Sequence, residues 1–545
     1  MERILILNLT RMGDLVQMLG LVGGLRRRWP QARIDVLAMK AFAGILERFP
    51  HIDNVLTLDD TRLVGTLGED MWSGYRELKQ SVDALNATDY DYVVSPVVSI
   101  QAAWIGFMLD VKRRSGMFFN ADRQQTITSE WTAFHLANEH HLGDRTFNLV
   151  DIFARVGGVG AKPEDFRLEP GEEAEAKAAE TWREHGLDGR QVVGVHCGAS
   201  QSNKAWEPER FRAVIEKLLL HPQRSVVLFG GYNELALTPY FESLRHPNFV
   251  NLIGRSGLAD LVAMLARLDL LIANDTGPMH LAASMDTPIL NISLGPVSMW
   301  ETGPYLPGAV VIQADIPCHP CAFDRVCSHL DCHKLITVEA VSATAESMLA
   351  GHTPEAAPGA LTWRARIDPF GLLHCVPVRK RPIEARDLFF ECKRAVWAMT
   401  LLPGLDEKID WVKVFTEDLA QHYDTGGLDM SAWLSMLARL EESAGALTGA
   451  LQDLARQRPG AKKSIDRIHD KWSRIKQMKE ELFALGRDTN DCYDLFLYAR
   501  FRESSLESDD FTRLTRDTIE IYAGLCLQLQ ALARLTRSYN ASETE

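Results

Sequence analysis

The sequence predicts an α/β protein built from two similar halves, followed by an all-helical C-terminal extension. Short apolar segments alternate with segments of helical periodicity in residues 1–170, and the same alternation returns in residues 171–352. Beyond a linker near residue 353, the apolar residues recur at helical spacing. Alternating strands and helices are typical of parallel sheets that helices cover on both faces. We therefore expect two Rossmann-like domains that face a cleft, with residues 353–545 as linker and extension.

Length and charge limit the classes of protein to be considered. The 545 residues, 46% of them hydrophobic, are too many for one compact core. The formal net charge of −14 argues against a nucleic-acid partner, because a phosphate backbone needs a basic footprint. The N-terminal segment lacks the long apolar core of a signal peptide, and no stretch reaches the length needed to span a bilayer. We therefore expect a cytoplasmic protein.

The first half begins with a short apolar segment, residues 4–8, which predicts a buried strand. Gly13 follows, and then residues 15–25 carry apolar side chains at helical spacing. Further strands of this half are predicted at 33–39, 54–58 and 90–98.

The second half follows a charged, alanine-rich helix predicted over residues 171–185, which we expect to connect the halves. Its strands are predicted at 191–195, 225–229, 270–273 and 288–293. Its helices are predicted at 208–220, 258–268 and 278–284. Helices of the extension are predicted at 388–399, 430–457, 464–485 and 510–536, as a packing or oligomerisation module.

Residues 272–283 form the strongest chemical signal, because a strand ends in Asp275-Thr276-Gly277 and a helix begins at once. Free amide groups and the helix dipole make such a helix start an anion site. The Thr276 hydroxyl adds a donor, and Gly277 lets a phosphate approach the backbone. Asp275 would accept from a ribose hydroxyl or cap the helix. The alternative is an ordinary capped helix without a ligand.

Two further segments also follow predicted strands. Small residues at 194–200 make room for a ligand, and Lys204 supplies a charge that could neutralise a diphosphate. The alternative for Lys204 is a solvated surface lysine. Asp14 follows the first strand at the edge where open parallel sheets bind ligands, so it could act as a general base. Its alternative is an N-cap for the helix beginning at Leu15.

Taken together and in this order, the segments resemble glycosyltransferase family 9, the ADP-heptose:lipopolysaccharide heptosyltransferases. The resemblance covers roughly residues 1 to 350. The matching segments are RMGDLVQMLGLVGGLRRRWP, FNLVDIFARVGGV, GASQSNKAWEPERF and NDTGPMHLAASMDTPIL. The resemblance implies a GT-B fold, an inverting reaction and no metal in catalysis.

The resemblance also implies roles for single residues. Asp14 corresponds to the catalytic base of the family, and Lys204 to the lysine that contacts the diphosphate. For His280, packing or helix capping is the alternative to a ligand contact. The implied donor-binding residues are Ser200, Lys204, Glu234, Asp275, Thr276, Gly277 and His280.

The implied reaction moves a heptose or similar sugar from an ADP-sugar to the lipopolysaccharide core at the inner membrane surface. Basic clusters at 26–28 and 112–114 could meet acceptor phosphates, or they are solvated surface charge. The alternatives are a protein or another surface polysaccharide as acceptor, and a non-catalytic scaffold that uses the extension. The set of Asp14, Lys204 and residues 275–277 favours an enzyme. Homo-oligomers through the extension are a further expectation.

Four cysteines lie within one short segment: Cys318, Cys321, Cys327 and Cys332. Thiolates at such spacing can hold one structural zinc or iron ion in a tetrahedral site, with nearby histidines as substitute ligands. A related branch of the family, which modifies autotransporter proteins, binds iron through cysteines. The alternative is a loop of reduced or partly disulfide-bonded cysteines.

Overall fold

The structure is a computed structural model. It describes residues 2–59, 70–139, 146–321, 327–355, 358–402, 404–405, 408–456, 462–506 and 510–540. The chain divides into two compact units. Unit 1 comprises residues 1–118 and 147–379, and unit 2 comprises residues 119–146 and 380–545.

Most of the strands lie in the first two thirds of the chain. In chain order they are β1 (Arg3–Asn8), β2 (Arg33–Met39), β3 (Asn54–Leu58), β4 (Tyr92–Val94), β5 (Arg113–Ser115), β6 (Met117–Phe119), β7 (Gln125–Ile127), β8 (Gln191–His196), β9 (Arg224–Phe229), β10 (Phe249–Asn251), β11 (Leu270–Asn274), β12 (Ile289–Ser293), β13 (Val310–Ala314), β14 (Ala360–Ile367), β15 (Leu373–Pro377), β16 (Arg381–Pro382) and β17 (Tyr423–Asp424).

The helices occur throughout the chain, and the longest lie near its C-terminal end. They are α1 (Met12–Gln17), α2 (Leu19–Arg28), α3 (Met71–Asn86), α4 (Ile100–Met108), α5 (Glu130–Glu139), α6 (Leu149–Val156), α7 (Glu172–Glu184), α8 (Pro208–Leu218), α9 (Leu258–Leu265), α10 (Gly277–Ser284), α11 (Met299–Thr302), α12 (Asp331–Leu335), α13 (Val338–Leu349), α14 (Ala385–Leu401), α15 (Trp411–His422), α16 (Ser431–Ala455), α17 (Lys462–Asp488), α18 (Tyr493–Ser504) and α19 (Phe511–Arg537).

The first sheet of unit 1 has the strand order β3-β2-β1-β4-β5, and its neighbours pair in parallel. Its central strand β1 is buried on both faces, with residues 4–7 fully shielded from solvent. A continuous apolar segment is what a parallel strand covered on both faces requires. The predicted parallel α/β sheet is therefore confirmed, and the carboxyl end of β1 leads directly into α1.

The second sheet of unit 1 has the order β10-β9-β8-β11-β12-β13-β14-β15. It is parallel as far as β13, and β14 and β15 then extend it in antiparallel fashion. The prediction that the chain loses its strands beyond residue 359 was therefore wrong. Along β14, buried Ala360, Trp363 and Ala365 are interspersed with less buried residues that include two arginines, so the strand is amphipathic. Its mixed composition hid it from the search for continuous apolar segments.

Unit 2 is mainly helical, which confirms the helical C-terminal region. Its core holds a buried ion pair, because Lys393 Nζ lies 3.3 Å from Asp494 Oδ1 and Trp397 Nε1 donates to Asp494 Oδ2 at 2.8 Å. Trp131 of α5 also belongs to this unit and donates to Leu401 O. The predicted division at residues 170 and 352 differs from these contact units and stays a prediction. Among the described residues, no helix has the length and apolar character needed to cross a bilayer.

A buried carboxylate attaches the helix α6 to the region of the second sheet of unit 1. The side chain of Asn148 caps the helix by accepting from Val150 N. Asp151 accepts from the Tyr305 hydroxyl and from Leu373 N, each at 2.9 Å. Burial raises the pKa of Asp151 to about 7. The protonation of this carboxyl group is therefore linked to folding.

Asp151→Asn is expected to change how thermal stability depends on pH. Because the folded pKa lies above the unfolded value, the folded state holds this proton more tightly than the unfolded chain. That contribution to stability is complete below about pH 4 and is lost as the pH rises through about 7. Melting temperatures measured across this window should therefore fall more steeply for the unaltered protein than for the variant.

The matched control for this experiment is Asp83→Asn, because Asp83 lies on the exposed side of α3. Its melting curve should follow that of the unaltered protein at every pH. Equal pH slopes for the unaltered protein and Asp151→Asn would contradict the linkage.

Candidate functional site

The side chain of Asn274 holds together the carboxyl ends of two neighbouring strands. This residue ends β11 and is fully buried. Its amide nitrogen donates to Cys197 O at 3.0 Å, and its oxygen accepts from Trp206 N at 3.1 Å. Because β8 ends at His196, Asn274 fixes both ends of the loop 197–206 against β11.

The second anchor of this loop is Trp206. Its ring is fully buried, lies edge-on to Phe211 at 5.1 Å between centroids, and donates through Nε1 to Ile336 O. Pro208 then begins α8, where the missing amide hydrogen costs no helical bond. The tryptophan and proline of the K-x-W-x-P segment therefore position the lysine that precedes them.

Lys204 lies in this loop and points toward the start of α10. Its Nζ is 3.8 Å from Asp275 Oδ2, and its side chain is only 13% exposed. The alternative of a solvated surface lysine was therefore wrong. The structure brings Lys204 and the Asp275-Thr276-Gly277 segment together, as the sequence predicted.

The amino end of α10 is arranged as an anion site would require. Thr276 occupies the N-cap position with extended backbone, and its side chain makes no capping hydrogen bond. Asp275 does not cap the helix, because its Oδ2 instead accepts from the Thr302 hydroxyl at 3.3 Å. The Thr276 hydroxyl and the positive end of the helix dipole are therefore both available to an anion.

Asp14 lies in the first turn of α1, which begins at Met12 with Arg11 in the N-cap position. The alternative that Asp14 caps a helix beginning at Leu15 was therefore wrong. Burial raises the pKa of Asp14, and the nearby charge of Asp275 raises it further. Hydrogen bonds from Thr10 and Arg11 and the charge of Arg11 oppose the shift without cancelling it. A carboxylate with a raised pKa is a stronger base than an ordinary aspartate.

The helix α1 of the first sheet packs directly on α10 of the second. Gln17 Nε2 lies 3.4 Å from His280 Nε2, and the same ring nitrogen lies 3.8 Å from Asp275 Oδ1. A Cβ atom on Gly277 would overlap the methyl group of Met12. Burial lowers the pKa of His280, which keeps its ring neutral near pH 7. The predicted base and the predicted donor residues therefore share one site.

Two residues of this site escaped the sequence analysis. Gln17 lies one helical turn after Asp14, so helical spacing could have placed both on one face. Thr302, which donates to Asp275, lies on the short helix α11 and carries no signal in the sequence.

The other predicted donor residues lie around the same loop. Glu234 accepts from Gly231 N at 2.6 Å and lies 3.2 Å from His196 Nε2. A Cβ atom on Gly198 would overlap Glu234 Oε1, so the carboxylate lies against the start of the loop. Ser200 is exposed in this loop.

Residues of the two basic clusters of the first half form ion pairs and hydrogen bonds within the protein. Arg26 pairs with Asp53 at 2.6 Å, and Arg27 pairs with Asp165. Arg114 donates to Gly106 O at 3.1 Å. The first cluster ends α2 just before β2 starts, so it lies at the amino ends of the parallel strands. Asp14 lies at the other edge of the sheet, where the strands end. These contacts do not support a role for the clusters with acceptor phosphates.

Among the described residues, none of the four clustered cysteines is in a disulfide. Burial raises the pKa of Cys332, with a smaller contribution from nearby Cys318 and Cys327. Within the described residues, which omit 322–326, no three His, Cys, Asp or Glu side chains are placed to hold a metal ion. Cys332 packs in the hydrophobic core of the second sheet instead. The described arrangement therefore does not fit the predicted zinc or iron site.

The chain is similar in sequence to known glycosyltransferases. Residues 78–333 match the model of glycosyltransferase family 9 (heptosyltransferase). The chain is 23% identical over 351 residues to lipopolysaccharide heptosyltransferase 1 of Pseudomonas aeruginosa, which covers 60% of this chain and 88% of that relative. It is 23% identical over 320 residues to lipooligosaccharide heptosyltransferase 2 of Haemophilus influenzae, with coverages of 57% and 88%.

A solved structure is similar in fold. The crystal structure of a family 9 glycosyl transferase from Veillonella parvula aligns with a TM-score of 0.52 and 22% identity. The alignment covers 64% of this chain and 98% of that one.

Asn274→Ala is expected to destabilise the protein, because Cys197 O and Trp206 N would lose their buried partner. Each buried group left unpaired costs about 1–3 kcal/mol. Thermal and denaturant unfolding would measure the loss.

The matched control is Asn291→Ala on the neighbouring strand β12. Asn291 is equally buried, but it donates to Ala273 O at a longer 3.3 Å and its oxygen has no partner among the described residues. A loss for Asn274→Ala no larger than for Asn291→Ala would contradict the role given to Asn274.

Proposed function

We propose that this glycosyltransferase is a member of family 9 and transfers a heptose or similar sugar from an ADP-sugar to the lipopolysaccharide core. One observation carries the proposal. Lys204 Nζ lies 3.8 Å from Asp275 Oδ2 at the amide end of α10, and α1 brings Asp14 against the same helix. The names of the relatives, lipopolysaccharide and lipooligosaccharide heptosyltransferases, support the choice of sugar and acceptor.

In this proposal the two α/β halves form a GT-B arrangement with the donor between them. The diphosphate lies between Lys204 and the amide end of α10, where Thr276 and Gly277 offer a hydroxyl and a backbone amide. Asp275 orients the lysine, since it is within 3.8 Å of Nζ and is held by Thr302. Domain boundaries at residues 170 and 352 would place the acceptor on the first half and the nucleotide on the second.

The reaction in this proposal is a single displacement that inverts the anomeric centre. Asp14 takes the proton of an acceptor hydroxyl as that oxygen bonds to the anomeric carbon. The bond from this carbon to the diphosphate oxygen breaks on the opposite face, and ADP leaves with the electron pair. The anomeric carbon is oxocarbenium-like in the transition state. A partly buried carboxylate with a raised pKa is suited to the proton transfer.

The leaving diphosphate gains negative charge as its bond to the sugar breaks. A preorganised ammonium group and a helix amide end stabilise that charge more in the transition state than in the ground state. Lys204 is mostly buried, so its charge acts on the diphosphate with little screening by water. None of these steps requires a metal ion or a cofactor.

The acceptor is the least constrained part of the proposal. A protein or another surface polysaccharide would use the same base and donor site. A position in the cytoplasm at the inner membrane surface, and assembly through the helical extension, belong to the same proposal. The scaffold alternative is dropped, because the chain is a glycosyltransferase.

Asp14→Asn is expected to lower kcat by about 10²–10⁴-fold, because the amide cannot accept the acceptor proton. The assay measures ADP release from ADP-heptose in the presence of heptose-deficient lipopolysaccharide. The affinity for ADP, measured by calorimetry, should be nearly unchanged. Transfer from UDP-sugars in place of ADP-heptose, or loss of ADP binding in the variant, would contradict the assignment.

Lys204→Met is expected to weaken ADP binding by about 10- to 100-fold, since charge-assisted hydrogen bonds contribute about 1.5–3 kcal/mol. The control is Lys217→Met, an exposed lysine on α8 near Glu339. Calorimetry with ADP measures both variants. Equal affinities for ADP in the two variants would remove Lys204 from the donor site.

A further inference from the structure

We propose that His196 is a positioning residue that holds the carboxylate of Glu234 in place for a ribose hydroxyl of the bound nucleotide. The inference rests on the proposed function and names the residue that shapes the nucleoside end of that donor site. It gives a role to His196, to which the sequence alone assigned none.

The contact between the two side chains is close and shielded. His196 Nε2 lies 3.2 Å from Glu234 Oε2, with the histidine side chain 3% and the glutamate side chain 23% exposed. The imidazole therefore lies inside the protein, while the carboxylate reaches the surface of the site. Burial acts to raise the pKa of Glu234, but the interaction with His196 and the hydrogen bond from Gly231 N together outweigh it and lower this pKa. The group is thus a carboxylate, able only to accept hydrogen bonds.

The imidazole of His196 makes no second hydrogen bond among the described residues. Its Nδ1 is buried and has no hydrogen-bond partner among the described residues. A buried ring nitrogen without a hydrogen-bond partner destabilises the folded state, so an apolar side chain would suit this position of β8 better than a histidine. The contact to Glu234 is therefore the polar interaction for which this position requires a histidine.

The carboxylate is fixed from two further sides. Gly231 N donates to the same oxygen, Oε2, at 2.6 Å. The other oxygen, Oε1, lies over Gly198, where a Cβ atom would overlap it. Glycine is therefore needed at 198 to make room for the carboxylate. Oε2 therefore meets His196 and Gly231, whereas Oε1 has no hydrogen-bond partner among the described residues and is the oxygen that would accept from a ligand.

The position of the carboxylate indicates which ligand group it meets. Glu234 follows β9, the neighbour of β8, at the carboxyl edge where Lys204 and α10 receive the diphosphate. In nucleotide-binding α/β sheets, an acidic residue after the neighbouring strand accepts from ribose hydroxyls while the diphosphate lies at a helix start. The chemistry of the site therefore fits the 2′- and 3′-hydroxyl groups.

The test compares ADP with 2′,3′-dideoxy-ADP by calorimetry on the full chain. The unaltered protein should prefer ADP by about tenfold or more, the effect of a hydrogen bond to a charged group. His196→Leu removes the donor and keeps the bulk, so the preference should fall below about threefold. His196→Gln can still present an amide hydrogen to Glu234 and should retain most of the preference.

A double-variant comparison separates positioning from a structural role. In a Glu234→Ala background, which already lacks the preference, His196→Leu should change the ADP affinity no further. If His196→Leu does not fold, His196→Asn, whose shorter amide cannot reach Glu234, takes its place.

The outcomes distinguish this inference from the proposal beneath it. A full preference for ADP in His196→Leu, or additive losses in the double variant, would overturn the inference while the proposed function stands. Absence of ADP binding by the unaltered protein would overturn the proposed function, and the inference with it.

Discussion

The whole arrangement depends on the side-chain amide of Asn274. One buried amide satisfies a carbonyl at the end of β8 and an amide hydrogen at Trp206, so the loop carrying Lys204 has little freedom to move. The next residues along the chain, Asp275 and Thr276, lead into α10. A lysine and a helix start that are far apart in sequence are thereby held at fixed distance. Preorganised charge of this kind acts without reorganisation when a ligand arrives.

The two carboxylates of the site differ because their surroundings differ. Asp275 lies beside an ammonium group and a hydroxyl, whereas Asp14 is partly buried, and this burial together with the nearby charge of Asp275 keeps its pKa raised. One carboxylate is therefore suited to hold Lys204, and the other to accept a proton. The neutral ring of His280, a residue of α10, contacts Gln17 of α1 and lies close to Asp275, and so connects the helix that carries Asp14 with the start of α10.

Much of this site could be predicted from the sequence, because parallel sheets place the loops after their strands at one edge. Asp14, Lys204 and the segment 275–277 were found in this way. The contact of Thr302 with Asp275 could not be predicted, since it depends on packing between elements distant in the sequence. The strand β14 escaped because an amphipathic strand lacks a continuous apolar segment. The cysteine spacing suggested a metal site, but the side chain of Cys332 packs in the hydrophobic core.

The central claim is that a diphosphate lies between a loop lysine and the amide end of a helix. A crystal structure of the protein with bound ADP tests it most directly. We expect the β-phosphate to lie within hydrogen-bonding distance of both Lys204 Nζ and the Thr276 hydroxyl. ADP seated elsewhere, or bound through only one of these two groups, would contradict it.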